Sequence, residues 1–129
     1  MSSHIDRGGA HGDTPGHAWF QVDQVDGCAV VRAGGEIDTR TVHGFDEVVT
    51  EAVSLSPHVV IDLAQVTFVD SSGLGGLIVA RRSARERGGS VSLVSPPAAV
   101  HRLLGSTKLH DVFPIYDSLT EAINAATQP

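Results

Sequence analysis

The feature that most constrains the fold is the stretch Val66-Thr67-Phe68-Val69-Asp70-Ser71-Ser72-Gly73-Leu74-Gly75-Gly76-Leu77-Ile78, in which an apolar run ends in Asp-Ser-Ser and a helix begins. A strand that passes directly into a helix places both elements in one layered α/β unit. A helix start leaves about four backbone N–H groups without intrahelical partners, so Asp70 or Ser71 is expected to cap it. The same positions favour an anion, so a serine exposed there reads as a modifiable switch.

The flanking pattern extends this unit in both directions. Trp19-Phe20-Gln21-Val22 predicts a strand, Asp26-Gly27 a hairpin turn, and Cys28 to Ala33 the returning strand. Gly34-Gly35-Glu36-Ile37-Asp38 then leads into a helix carrying Val42, Phe45, Val48, Val49, Ala52 and Val53 at spacings of three and four; Asp38 or Thr41 is expected to cap it and Pro57 to end it. His58 to Leu63 and Val66 to Val69 read as two apolar strand segments covered on both faces. Past the junction, Leu74, Leu77, Ile78 and Arg81 fall on one helix face, with Gly88-Gly89 as the stop.

The remainder predicts a strand from Ser90 to Val94, a short helix from Pro97 to Leu104 and a strand from Val112 to Tyr116. A terminal helix follows, with Ser118 and Glu121 at capping-box spacing. Strands and helices alternating in this order imply an α/β fold: a mixed, largely parallel sheet with right-handed crossovers, an antiparallel edge strand from the hairpin, and about four packed helices.

A chain of 129 residues with 41% hydrophobic content suits one domain. Met1 to Gly16 has almost no bulky apolar residues, so residues 1–17 are expected to form a flexible tail and 18–129 the domain. No apolar stretch approaches the roughly 18 to 20 residues needed to span a bilayer, and no secretion signal is visible, so a soluble, cytoplasmic protein is expected. A net charge of −6 argues against direct nucleic-acid binding, which relies on clustered cations. Cys28, the single cysteine, lies in an apolar run and reads as a small buried side chain.

Enzyme signatures are absent from the sequence: there is no phosphate loop of the Gly-Lys-Ser/Thr kind, no Gly-x-Ser-x-Gly elbow, no His-Glu-x-x-His and no paired cysteines. No metal site or cofactor is expected; His4, His11 and His17 are irregularly spaced in or beside the tail. Gly73, Gly75 and Gly76 allow two readings, a loop that lets backbone N–H groups cradle an anion or close packing of the helix start on the sheet. Arg81, Arg82, Arg85 and Arg87 put four of nine basic residues late in one helix, where they suit the helix dipole and form a solvated polar face or one for an acidic partner.

These residues resemble the STAS domain as found in anti-sigma factor antagonists. The match is carried by Ile61-Asp62-Leu63, by Val66 through Gly75, and upstream by Gly35-Glu36-Ile37-Asp38, extending loosely from about Trp19 to the terminal helix. The resemblance implies a STAS-like single domain that is not an enzyme. Its implied role is partner switching: the unphosphorylated antagonist binds an anti-sigma factor serine kinase, which releases its sigma factor and can phosphorylate the antagonist to end the complex. It further implies Ser71 as the phosphorylation site with Ser72 as the alternative, a partner surface of Asp38, Asp70, Ser71, Ser72, Gly73, Leu74 and Gly75, a phosphatase acting on the phosphoserine, and a monomer or weak dimer. The N-terminal tail and Gly76 go beyond the family motif and leave open whether the helix starts a turn late. The functional alternatives are a nucleotide- or anion-sensing module and a scaffold subunit of a larger signalling assembly.

Overall fold

A computed structural model describes residues 18–128; the expected tail, residues 1–17, and its three histidines lie outside the described residues. Strands β1 (Trp19–Val25) and β2 (Cys28–Ile37) form an antiparallel hairpin, followed by α1 (Val42–Leu55), β3 (His58–Val69), α2 (Ser71–Glu86), β4 (Ser90–Val94), α3 (Ala98–Ser106), a short 3-10 turn at Leu109–Asp111, β5 (Ile115–Tyr116) and α4 (Leu119–Thr127). The sheet order is β1-β2-β3-β4-β5, with β1 antiparallel to β2 and all other neighbours parallel. This is the mixed α/β sheet with four helices and an antiparallel edge that the sequence predicts.

The hairpin closes at Asp26 and Gly27, both with positive φ (49° and 85°), the primed geometry that matches strand twist. Alternate residues of the strands then enter two cores. Phe20, Val31, Ile61 and Leu93 join Phe45, Val48, Leu77, Leu104 and Phe113 on the face covered by α1, α2 and α3. On the opposite face Cys28, Val30, Val60 and Val94 pack against Ala122 and Ile123 of α4. Helices on both faces explain why the parallel strands are apolar in consecutive positions.

Several boundaries differ from expectation. The segments His58 to Leu63 and Val66 to Val69 are one continuous strand; β4 pairs with it only as far as Asp62, so Ala64, Gln65, Thr67 and Phe68 are exposed where the strand has lost that neighbour. Gly34 to Ile37 belongs to β2 and is no lead-in loop; the strand shifts register between Arg32 and Gly34 and again at Gly35, whose φ is +84°. Of the expected strand Val112 to Tyr116 only Ile115 and Tyr116 pair. Phe113 turns inward, fully buried, and the Pro114 carbonyl accepts from Leu93 N.

The short helix starts at Ala98, with Pro97 in the cap position. Neither expected α1 cap operates: Thr41 holds the cap position without a side-chain cap bond, its hydroxyl donating to the Glu36 carbonyl at 2.6 Å, and Asp38 accepts from Arg40 N instead. At α4 the capping box is half formed, with Ser118 Oγ accepting from Glu121 N.

Candidate functional site

The Asp70 backbone N–H donates to the Ile37 carbonyl at 3.1 Å, which ties the end of β3 to the end of β2. That bond brings Asp38, just past β2, close enough to Asp70 that its charge opposes ionisation there. Asp70 caps α2: its Oδ1 accepts from Ser72 N at 2.9 Å, from Gly73 N at 3.1 Å and from the Ser72 hydroxyl at 2.5 Å. The Leu74 N–H reaches the Asp70 carbonyl, so the helix begins at Ser71 without the late start the glycines left open. The Ser72 hydroxyl above all, with the two backbone donors, holds the Asp70 carboxyl below its ordinary value.

The two serines therefore differ in state. Ser72 is half-buried and its hydroxyl is spent on Asp70. Ser71 is exposed, and its hydroxyl makes no hydrogen bond among the described residues. Asp38 is held by Arg40, with Nη2 at 2.9 Å and Nε at 3.3 Å from Oδ2, while the same Nη2 lies 2.9 Å from Glu36 Oε1. The Arg40 side chain is the first cause of the lowered pKa at Asp38.

The glycines separate into two kinds. A Cβ on Gly73 would lie 2.8 Å from Val69 Cγ1 and 2.9 Å from both Ile37 Cγ2 and the Ile37 carbonyl, so this glycine lets α2 sit on the sheet. Gly76 packs on α1, where a Cβ would meet the Phe45 ring at 3.0 Å. A Cβ on Gly75 would meet nothing within 4 Å, so packing does not account for it. Nor do the glycines cradle an anion: the Ser72 and Gly73 N–H groups are taken by the Asp70 carboxylate.

Leu74, expected at the partner surface, is buried beneath the helix with Leu77, whereas Ile78, which the sequence sets on one face with them, is 38% exposed. At 3.6 residues per turn, Ser71, Gly75, Ile78 and Arg82 fall along one side of α2, with Val79, 52% exposed, beside them. Val79 and the exposed Phe68 were not singled out by the sequence; the signal was their position off the buried stripe of their elements. No group of three or more His, Cys, Asp or Glu side chains able to hold a metal occurs among the described residues, and no helix there is long and apolar enough to cross a membrane. Cys28 is buried, and burial pushes its thiol pKa up, consistent with a packing residue.

Residues 20–122 match the model of the STAS domain. The chain belongs to the STAS domain family. An anti-sigma F factor antagonist of Paenibacillus polymyxa is similar to this STAS domain, 35% identical over 106 residues that cover 79% of this chain and 86% of that one. An anti-sigma-F factor antagonist of Mycobacterium tuberculosis is 28% identical over 103 residues, 78% of this chain and 80% of its own. The crystal structure of an anti-sigma factor antagonist from Mycobacterium paratuberculosis has the same STAS fold, with a TM-score of 0.77 at 30% identity over 89% of this chain and 98% of that chain.

Proposed function

We propose that this STAS protein is an anti-sigma factor antagonist, a binding protein rather than an enzyme, whose partner is an anti-sigma factor serine kinase and whose binding is turned off by phosphorylation of Ser71. The observation that carries the choice of acceptor is the contrast at the α2 start: Ser71 is exposed with a free hydroxyl, whereas the Ser72 hydroxyl is bonded to Asp70 at 2.5 Å. A kinase reaching Ser72 would first have to break that bond.

The docking surface is the exposed side of α2 formed by Ser71, Gly75, Ile78 and Val79, with Asp38 and Asp70 at its edge. A phosphate on Ser71 adds about −1.5 to −2 charges at pH 7 beside two carboxylates. Inside a closely fitted interface that charge loses water and meets like charge, and a thousandfold loss of affinity requires only about 4 kcal/mol. A phosphatase acting on the phosphoserine restores binding.

Incubation with its cognate anti-sigma kinase and with ATP is expected to add one phosphate, mapped to Ser71 by mass spectrometry, and to dissolve the complex. Ser71→Ala is expected to bind and stay unmodified, and Ser71→Asp to bind weakly. Modification of Ser72 in the Ser71→Ala variant at the wild-type rate would refute the assignment. An anion-sensing role at the helix start is disfavoured because Asp70 already fills the position an anion would take.

A further inference from the structure

Away from the serines, the C-terminal half of α2 and the segment Leu109–Phe113 enclose an open cavity of about 470 Å³. Its floor is apolar, made by Ile78, Leu109, Val112 and the buried Phe113. Among the described lining residues, its rim carries the guanidinium groups of Arg81, Arg82 and Arg85 and the carboxylate of Glu86, an excess of positive charge in a chain whose net charge is −6. The volume falls within the ~300–1,000 Å³ common for small-molecule sites.

The fold uses only part of this charge. The last carbonyls of α2 are satisfied by the backbone, Ala84 O by the N–H groups of Arg87 and Gly89 and Arg85 O by that of Gly88. Arg81 is fixed by its Nε, which donates to the Val112 carbonyl at 3.2 Å and leaves its two terminal amino groups for another acceptor. The side chains of Arg82 and Arg85 make no hydrogen bond or ion pair among the described residues. Guanidinium forks suit the paired oxygens of carboxylates and phosphates, and an apolar floor directly beneath them suits a hydrocarbon body.

We propose that this cavity binds a small soluble organic anion with an apolar body, its carboxylate or phosphate head held by Arg81, Arg82 and Arg85 and its body laid against Ile78, Leu109 and Val112. The site does not include Ser71 but borders the proposed docking face, sharing Ile78 with it, and its test does not depend on the antagonist reading.

The test is titration of the isotope-labelled full chain with decyl phosphate, kept below the concentration at which it forms micelles, while backbone amide signals are followed. Saturable shifts are expected at Ile78 to Arg85 and Leu109 to Phe113, with decanol and inorganic phosphate each binding at least about tenfold more weakly. The double variant Arg82→Gln/Arg85→Gln is expected to keep the melting temperature, since both side chains are exposed, and to lose at least about tenfold in affinity. Absence of saturable shifts, equal binding of inorganic phosphate, or undiminished binding by the double variant would each overturn the proposal. So would retention on anionic phospholipid vesicles without a response to the soluble probe.

Discussion

Gly75 offers the sharpest test of the proposed docking surface, because it separates what the fold needs from what a partner needs. A glycine inside a helix costs about 0.5–1 kcal/mol relative to alanine. Gly73 and Gly76 have reasons to be glycine within the molecule, in the Ile37, Val69 and Phe45 contacts that a Cβ would crowd. Gly75 has none, since its Cβ would enter open space. Gly75→Ala is therefore expected to raise stability by about 0.5–1 kcal/mol, a rise in Tm of roughly 2–5 °C at this size. Gly73→Ala is expected to lower stability by about 1–3 kcal/mol, because the side chains and carbonyl it meets lie in the packed core.

If a partner's surface closes on α2 beside Ser71, the added methyl of Gly75→Ala must move it away. Affinity for the anti-sigma kinase is then expected to fall at least about tenfold, or ~1.4 kcal/mol, and further for Gly75→Leu. Calorimetric binding and thermal melts on the same preparations decide it. Gly75→Leu binding the kinase with wild-type affinity would remove this helix face from the interface; a Gly75→Ala that melts lower than wild type would refute the packing argument itself.

The remaining predictions concern the cap and the thiol. Ser72→Ala removes the hydroxyl bonded to Asp70 and is expected to cost about 0.5–1.5 kcal/mol in denaturant unfolding, whereas Ser71→Ala, which removes no bond, is expected to leave the midpoint nearly unchanged. Asp70→Ala is expected to cost about 0.5–2 kcal/mol at neutral pH. Because the folded Asp70 pKa lies below the unfolded value near 3.9, that difference is fully present above about pH 5 and disappears as pH falls through the folded value, which a pH series of melts would detect. Cys28, buried with a raised pKa, is expected to resist iodoacetamide in the native protein and to react on unfolding; rapid native alkylation would contradict its packing in the second core.

Where a single periodicity governed, the sequence was readable. The α1 apolar residues, the hairpin turn and the Asp70 cap all follow from local spacing and cap chemistry. What local pattern could not supply was which neighbour each element loses. β3 tolerates Ala64 and Gln65 because β4 has ended beside it, a fact about another segment of chain. Ile78 sits one position from Leu77, and only the placement of α1 and the sheet decides which of the two is buried. Val112 and Phe113 look strand-like, but Phe113 is spent filling the core and the short 3-10 turn before it leaves just two residues to pair.

The same distinction governs the candidate site. The resemblance put Ser71 first with Ser72 as the alternative, but local pattern gave no physical reason for the order; the structural difference arises from the Asp70 carboxylate, which takes the Ser72 hydroxyl together with the Ser72 and Gly73 N–H groups. That carboxylate has a second consequence. With those donors already engaged, a phosphate on Ser71 would find little backbone to draw it back onto the helix, and its neighbours would include the negative charges of Asp70 and Asp38. The added charge would therefore stay outward, on the face offered to the kinase, and the switch would act through the interface with the fold unchanged. Unphosphorylated and phosphorylated proteins should accordingly give the same backbone signals throughout the sheet, differing only around the β2 end and the first turns of α2. Shifts spread through α4 and the second core would instead mean that phosphorylation rearranges the domain, and the electrostatic account would fail.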